Sequence, residues 1–261
     1  MNAPADELVG APLFIVGCPG SGTGVVGEIL GAHGRVAYWD GPSDLASCYR
    51  RLLRGEVNAA EARAAYLDAC RRWLSARSLS SIQRFAVRCP GHALVVTFLA
   101  GAFPDARVLH VLRDGRAVVR SLLTGGPIAR SHGSSWRADD QAMCGSTDWV
   151  PATRRAEFEA ATAVERAALT WVIHVRAGLE GRAVAPDRYF EIRYEDLVAD
   201  PAGWGGRVLA FAGVGVERAV ERVLARICPV SDEERPVAGS EERALAEAKA
   251  GDLLRELGYE V

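Results

Sequence analysis

Lysine is almost absent from this 261-residue chain: of its 31 basic residues, every one but Lys249 is arginine. A site that needs a side-chain cation must therefore be built with guanidinium groups, which stay charged and donate in a planar fork. Cysteine is sparse as well. The six cysteines (Cys18, Cys48, Cys70, Cys89, Cys144 and Cys228) form no CxxC pair and no Cys/His cluster with zinc spacing, so a structural zinc site is excluded. A reduced, cytoplasmic protein is expected. No stretch reaches 18 uninterrupted apolar residues, which excludes a membrane-spanning helix. The opening Met1–Ala11 is polar and acidic and lacks the basic and apolar regions of a signal peptide. A net charge of −2 gives no general attraction to nucleic acid or anionic membranes.

What is present is a globular composition, 49% apolar, in a chain long enough for a sizeable core. Short apolar runs alternate with helical patterns. Leu13-Phe14-Ile15-Val16 ends in glycines and reads as a buried parallel strand. A helix is expected over 25–32 and a second strand over 36–39. A helical stretch over 44–76 is broken near Gly55, and a short strand follows over 85–88. Pro90-Gly91 stops that strand, and a helix runs on to Phe103. Arg107 to Leu112 is the clearest buried strand, followed by a helix over 116–123. After an irregular stretch over 125–151, one long helix is expected over 155–179, then a strand over 189–193 and further helices. This alternation implies a parallel sheet covered by helices on both faces. No Pro- or Ser-rich linker interrupts it, so residues 1–261 are read as a single α/β domain.

Two motifs carry chemistry. The first is Gly17-Cys18-Pro19-Gly20-Ser21-Gly22-Thr23-Gly24, which sits between a strand and a helix; with Gly27 it holds five glycines in eleven residues. A plain βα turn needs one or two. Glycines let successive backbone N–H groups point inward, the helix N-terminus adds partial positive charge, and Ser21 and Thr23 add hydroxyl donors, as phosphate binding requires. Gly17 and Gly22 have Walker A spacing, but the lysine position is Thr23, so ATP and GTP hydrolases or a kinase fit poorly. The second motif is Arg113-Asp114-Gly115-Arg116, with Ser121 eight residues after Arg113. Arg113 ends a strand, where open α/β sheets bind ligands.

In this order the two motifs resemble those of the sulfotransferases that use 3′-phosphoadenosine 5′-phosphosulfate. Arg88-Cys89-Pro90 is similar to that family's Lys-x-Pro segment. Ile192-Arg193-Tyr194-Glu195-Asp196-Leu197 with Asp200-Pro201 resembles its RYEDL…P segment, and Leu253 to Tyr259 resembles its closing helix. The likeness is nearest to the tyrosylprotein and small bacterial branch. It implies a three-layer α/β fold of the P-loop-like type, with a central parallel sheet flanked by helices. It further implies that Pro19, Gly20, Ser21, Gly22, Thr23 and Gly24 hold the 5′-phosphosulfate, that Arg113 and Ser121 hold the 3′-phosphate, and that Tyr194 and Arg235 contact the cofactor. The product would be adenosine 3′,5′-bisphosphate. No metal is expected. The acceptor would be a small molecule or peptide, and neither its identity nor the oligomeric state is readable.

The sequence departs from that pattern at Gly20, where family loops carry Arg or Lys, and at Gly24, where they carry a second Thr. Removing one charge-stabilising donor costs about 10²–10³ in rate. Arg88 is the first candidate to supply the missing cation, with Arg50, Arg51 and Arg116 behind it; the alternative is a catalytically weakened nucleotide-binding relic that binds the bisphosphate and transfers no sulfate. The base is expected just beyond the second strand. Asp40 and Asp44 are the candidates, Asp44 competing with a role in the first turn of a helix. His92 is a further alternative and His33 is expected to pack in a turn. Trp171 is expected in the core. Trp136 and Trp149 either line the acceptor site or pack at the surface.

Overall fold

A computed structural model describes residues 3–41, 43–124, 147–227 and 241–261. Five strands form one sheet: β1 (Leu13–Gly17), β2 (Val36–Asp40), β3 (Arg84–Arg88), β4 (Arg107–Leu112) and β5 (Tyr189–Arg193). Their order is β2-β3-β1-β4-β5 and every pairing is parallel. The chain leaves β1 toward one edge of the sheet and later crosses to the other, so the C-terminal end of β1 is a topological switch point.

The alternation of β1 builds two cores. Phe14 and Val16 point to one face, where they join Tyr49 of α3 (Ser43–Leu53), Tyr66 of α4 (Ala59–Ser75) and Leu99 of α5 (Val96–Ala102). The first helix, α1 (Ala3–Gly10), adds Val9 to this layer. Leu13 and Ile15 point to the other face, toward Val26 and Ile29 of α2 (Thr23–Gly31), Val208 and Leu209 of the Pro201–Ala212 helix, and Val220 of the Arg218–Leu224 helix. Strands buried on both faces read as continuous apolar runs, which is why β1 and β4 stand out in the sequence. A third cluster joins Val118 of α6 (Gly115–Thr124), Trp171 of the Ala163–Leu179 helix, and Leu253 and Leu254 of the Glu241–Glu256 helix.

The stretch expected as one helix over 155–179 is two, Ala152–Ala160 and Ala163–Leu179. The cause is local. Thr162 caps the second helix, its side chain accepting from the Glu165 N–H while Glu165 reaches back to the Thr162 N–H, a reciprocal arrangement that starts a helix anew. After Pro90 the chain first makes a tighter 3₁₀ turn, Pro90–Val95, before α5 begins. No helix among the described residues is long and apolar enough to cross a membrane. Cys18, Cys48, Cys70 and Cys89 are buried and unbridged.

Candidate active site

Parallel register brings the C-terminal ends of all five strands to one edge of the sheet. Asp40 of β2 lies opposite Arg88 of β3, Ile15 of β1 is also opposite Arg88, Gly17 is opposite Val111, and Leu112 is opposite Arg193. The glycine loop, Arg88, Asp40, Arg113 and Tyr194 therefore share that edge.

The loop turns tightly, with the Ser21 N–H donating to the Cys18 carbonyl at 3.0 Å. Gly20 (φ 84°) and Gly22 (φ 96°) both occupy the left-handed region that favours glycine. Close packing adds to that demand. A Cβ at Gly22 would lie 2.2 Å from the Tyr194 ring, and one at Gly20 would lie 3.2 Å from both Cβ and Oγ of Ser121. The Thr23 and Gly24 N–H groups start α2 and have no carbonyl one turn back within the helix. The Ser21 hydroxyl is buried without a hydrogen-bond partner among the described residues. A buried, unsatisfied hydroxyl beside the first N–H groups of a helix fits an anionic oxygen.

Arg113 is held from three sides. Its carbonyl accepts from Trp171 Nε1 at 3.1 Å, its Nη1 donates to the Gly20 carbonyl at 3.1 Å, and its guanidinium lies 4.4 Å over the Tyr194 ring. The next residue is fixed as well, because the Asp114 N–H donates to Glu195 Oε1 at 2.8 Å. Burial, the largest cause, raises the Glu195 carboxyl above its ordinary value. Behind Glu195, Tyr259 donates to Oε2 at 3.4 Å, while Arg193 binds the Leu257 carbonyl and covers the Tyr259 ring. The C-terminal Leu-Gly-Tyr thus closes the rear of the site.

On the other flank Arg88 lies between loop and strand edge. Its Nη1 is 3.4 Å from Thr23 Oγ1 and its Nε donates to Asp40 Oδ1. Arg88 is buried, its side chain 5% exposed, whereas Asp40 is 54% exposed. Tyr38 donates to the same Oδ1 at 3.0 Å. Burial, the largest cause, raises the Tyr38 phenol far above its ordinary value and keeps it a neutral donor.

The other candidates lie elsewhere. Asp44 is exposed in the first turn of α3 and pairs with Arg72 at 3.6 Å. Arg51 pairs with Glu56, and Arg50 lies over the Tyr49 ring. Arg116 is taken up by Asp114 at 2.7 Å and Glu247 at 3.0 Å. His92 is fully buried among Phe14, Tyr49 and Tyr66, bonded to the Tyr66 hydroxyl at 3.0 Å, and burial lowers its pKa to about 3. His33 sits in its turn against the Gly215 carbonyl at 2.9 Å. Trp149 is buried between Phe158 and His174. Trp171 is core, and its indole N–H has the further task of fixing Arg113. Arg235 and Trp136 lie outside the described residues. No group of three or more His, Cys, Asp or Glu among the described residues could hold a metal ion. Sequence reasoning did not find Tyr38 or Glu195. The spacing of Gly27 and Gly31 on α2 was the available signal for Tyr38, since a Cβ at either would run into its ring or hydroxyl.

A sequence model described as "Sulfotransferase family" matches residues 12–218, more than three quarters of the chain. The chain belongs to the sulfotransferase family. Among curated proteins it is similar to the omega-hydroxy-beta-dihydromenaquinone-9 sulfotransferases of Mycobacterium bovis and Mycobacterium tuberculosis. Each is 25% identical over 175 residues, which cover 66% of this chain and 40% of the relative. The match therefore spans well under half the length of these relatives. Solved structures share the fold. A sulfotransferase domain from the curacin biosynthetic pathway aligns with a TM-score of 0.58 at 14% identity, covering 96% of this chain and 98% of that one. A sulfotransferase from Alicyclobacillus acidocaldarius aligns with a TM-score of 0.55 at 15% identity, covering 96% and 97%. One from Mycobacterium avium aligns with a TM-score of 0.54 at 17% identity, covering 100% and 80%. These likenesses establish the three-layer α/β architecture.

Proposed function

We propose that this chain, acting as one domain over residues 1–261, transfers the sulfuryl group of 3′-phosphoadenosine 5′-phosphosulfate to the hydroxyl or amine of a small-molecule or peptide acceptor. One observation carries the reading: the glycine loop, whose buried Ser21 hydroxyl has no partner among the described residues, is in contact with Arg113 and Ser121 on one flank and with Arg88 on the other. Two anion-binding elements and a cation–carboxylate pair on one sheet edge suit a ligand with separate 5′ and 3′ anionic groups. When bound, the donor supplies the sulfuryl group and a bisphosphate leaving group.

In this reading the N–H groups at the start of α2, with Ser21 and Thr23, bind the 5′ group, and Arg113 with Ser121 binds the 3′-phosphate. Arg88 replaces the cation that Gly20 lacks and neutralises charge developing at the loop. Asp40, half-exposed at the strand end, takes the acceptor proton. The arrangement acts by positioning and electrostatics, as in-line sulfuryl transfer requires.

Calorimetry tests the reading. Adenosine 3′,5′-bisphosphate should bind more tightly than Mg·ATP, and Arg113→Ala should weaken the bisphosphate by at least about tenfold, the loss of one charge-assisted contact. Tighter binding of Mg·ATP, or an Arg113→Ala protein that binds the bisphosphate like wild type, overturns it.

A further inference from the structure

The Tyr38 side chain has a task that core packing does not account for. In β2 it stands two residues before Asp40, so both side chains project from the same face of the sheet, toward α2. The ring lies against α2 at two glycines. A Cβ at Gly27 would sit 2.0 Å from the Tyr38 hydroxyl oxygen, and one at Gly31 would sit 2.7 Å from its Cδ1. Glycine inside a helix is a destabilising choice, and here it opens the channel along which the phenol reaches the strand end. The neighbouring strand is equally accommodating, since Ala86 lies opposite Tyr38. Phenylalanine would fill the same channel. The hydroxyl is what sets tyrosine apart, and it donates to Asp40 Oδ1 at 3.0 Å, the oxygen that Arg88 Nε also binds. Among the described residues no donor reaches Oδ2.

We propose that Tyr38 is a positioning residue: its hydroxyl and Arg88 together fix Asp40 through Oδ1 and leave Oδ2 to take the acceptor proton. This rests on the reading of Asp40 as the base. In the step it serves, the acceptor oxygen bonds to sulfur while its proton passes to Oδ2. The bond from sulfur to the bridging oxygen breaks, and its electron pair leaves with the bisphosphate. A carboxylate anchored at one oxygen cannot rotate away from the acceptor, and orientation of that kind is a large part of what proximity contributes. Tyr38 touches neither reactant.

The test is a double-mutant cycle on the full chain, with turnover followed as bisphosphate release with water and with 2-naphthol as acceptors. Tyr38→Phe keeps the ring against Gly27 and Gly31, so its thermal midpoint should match wild type. Its kcat should fall roughly tenfold, the effect of losing one hydrogen bond to a charged acceptor, with the Kd for adenosine 3′,5′-bisphosphate unchanged. In an Asp40→Asn background the same substitution should have no further effect on the residual rate, because the two side chains act as one unit. A Tyr38→Phe enzyme with wild-type kcat, or an equal loss in both backgrounds, overturns the proposal while leaving Asp40 as the base. An Asp40→Asn enzyme with wild-type kcat overturns the base reading and this proposal with it.

Discussion

Restoring the family's arginine at position 20 should weaken this protein rather than improve it. By charge alone, Gly20→Arg supplies the cation that sulfotransferase loops carry and this one lacks. The backbone opposes it. Gly20 has a φ of 84°, and an L-residue held in the left-handed region costs about 1–2 kcal/mol. The new Cβ would also press on Cβ and Oγ of Ser121 at 3.2 Å, and crowding of that kind costs about 1–3 kcal/mol. Taken together the penalty is about 2–5 kcal/mol, which corresponds to roughly 30- to 5,000-fold in an equilibrium constant. Where it falls depends on the loop. If the free loop relaxes out of the left-handed geometry, the penalty appears as weaker binding of adenosine 3′,5′-bisphosphate, because the ligand must restore the cradle. If the Arg113 bond to the Gly20 carbonyl holds the loop in place, it appears instead as a lower thermal midpoint. Calorimetry and thermal unfolding on the same variant read both, and the sum is the predicted quantity. Gly20→Ala is the control: it has the same φ and the same Cβ but no charge, so it should show a similar loss. A Gly20→Arg protein that binds the bisphosphate like wild type, melts like wild type and turns over faster would refute the argument.

Arg88→Gln should reduce kcat by about 10²–10³, the usual cost of losing one charge-stabilising donor, while changing the bisphosphate Kd by no more than a few-fold; a loss confined to Kd would move Arg88 out of the chemistry. Acid should destabilise the fold through three buried histidines. Burial lowers the pKa of His92 and His110 to about 3 and that of His174 to about 4, all below the ordinary 6.5. The unfolded chain therefore takes up protons first as pH falls. The stabilisation is complete above about pH 7 and is lost progressively below 6.5, by about 2 kcal/mol per histidine at pH 5. Urea midpoints that stay flat between pH 7 and pH 5 would show that these imidazoles are not held neutral.

Much of this architecture was legible because it is local. The apolar runs of β1 and β4, buried on both faces and closed by glycine or Asp-Gly turns, could be read without knowing their neighbours. A strand, a glycine loop and a helix in that order place a phosphate cradle at a sheet edge, and Arg113 at a strand end belongs to the same edge by topology. The start of the Ala163–Leu179 helix was also written locally, in Thr162 and Glu165, but the helix-forming residues on either side gave one continuous pattern and masked the cap. Helix α1 was missed because its buried stripe, Ala5, Leu8 and Val9, is only one turn long and lies in a short polar, acidic segment. What could not be read was long-range. Asp40 and Asp44 both lie near the expected position of the base, and what separates them is register: Asp40 lies opposite Arg88, whereas Asp44 has turned onto α3 and faces Arg72. Likewise Arg116 looked free in sequence because its second carboxylate, Glu247, is 131 residues away.

The loss of charge at position 20 and the joining of the two halves of the site have one cause. Because Gly20 has no side chain, the loop settles directly against Ser121 of α6, and its carbonyl receives Arg113 Nη1. Because Gly22 has none either, the Tyr194 ring lies against the loop and supports the Arg113 guanidinium from beneath. Trp171 and Glu195 then fix the peptide that follows Arg113, one at its carbonyl and the other at its N–H. An arginine at position 20 would bring a charge but would push these pieces apart. The charge has to come from a direction that does not disturb the packing, and β3 supplies it: Arg88 enters from the opposite flank, reaches Thr23 at the start of α2, and is anchored by Asp40. A family member that keeps arginine or lysine at the position of Gly20 should therefore hold its loop farther from the serine at the position of Ser121 and depend less on the residue at the position of Arg88.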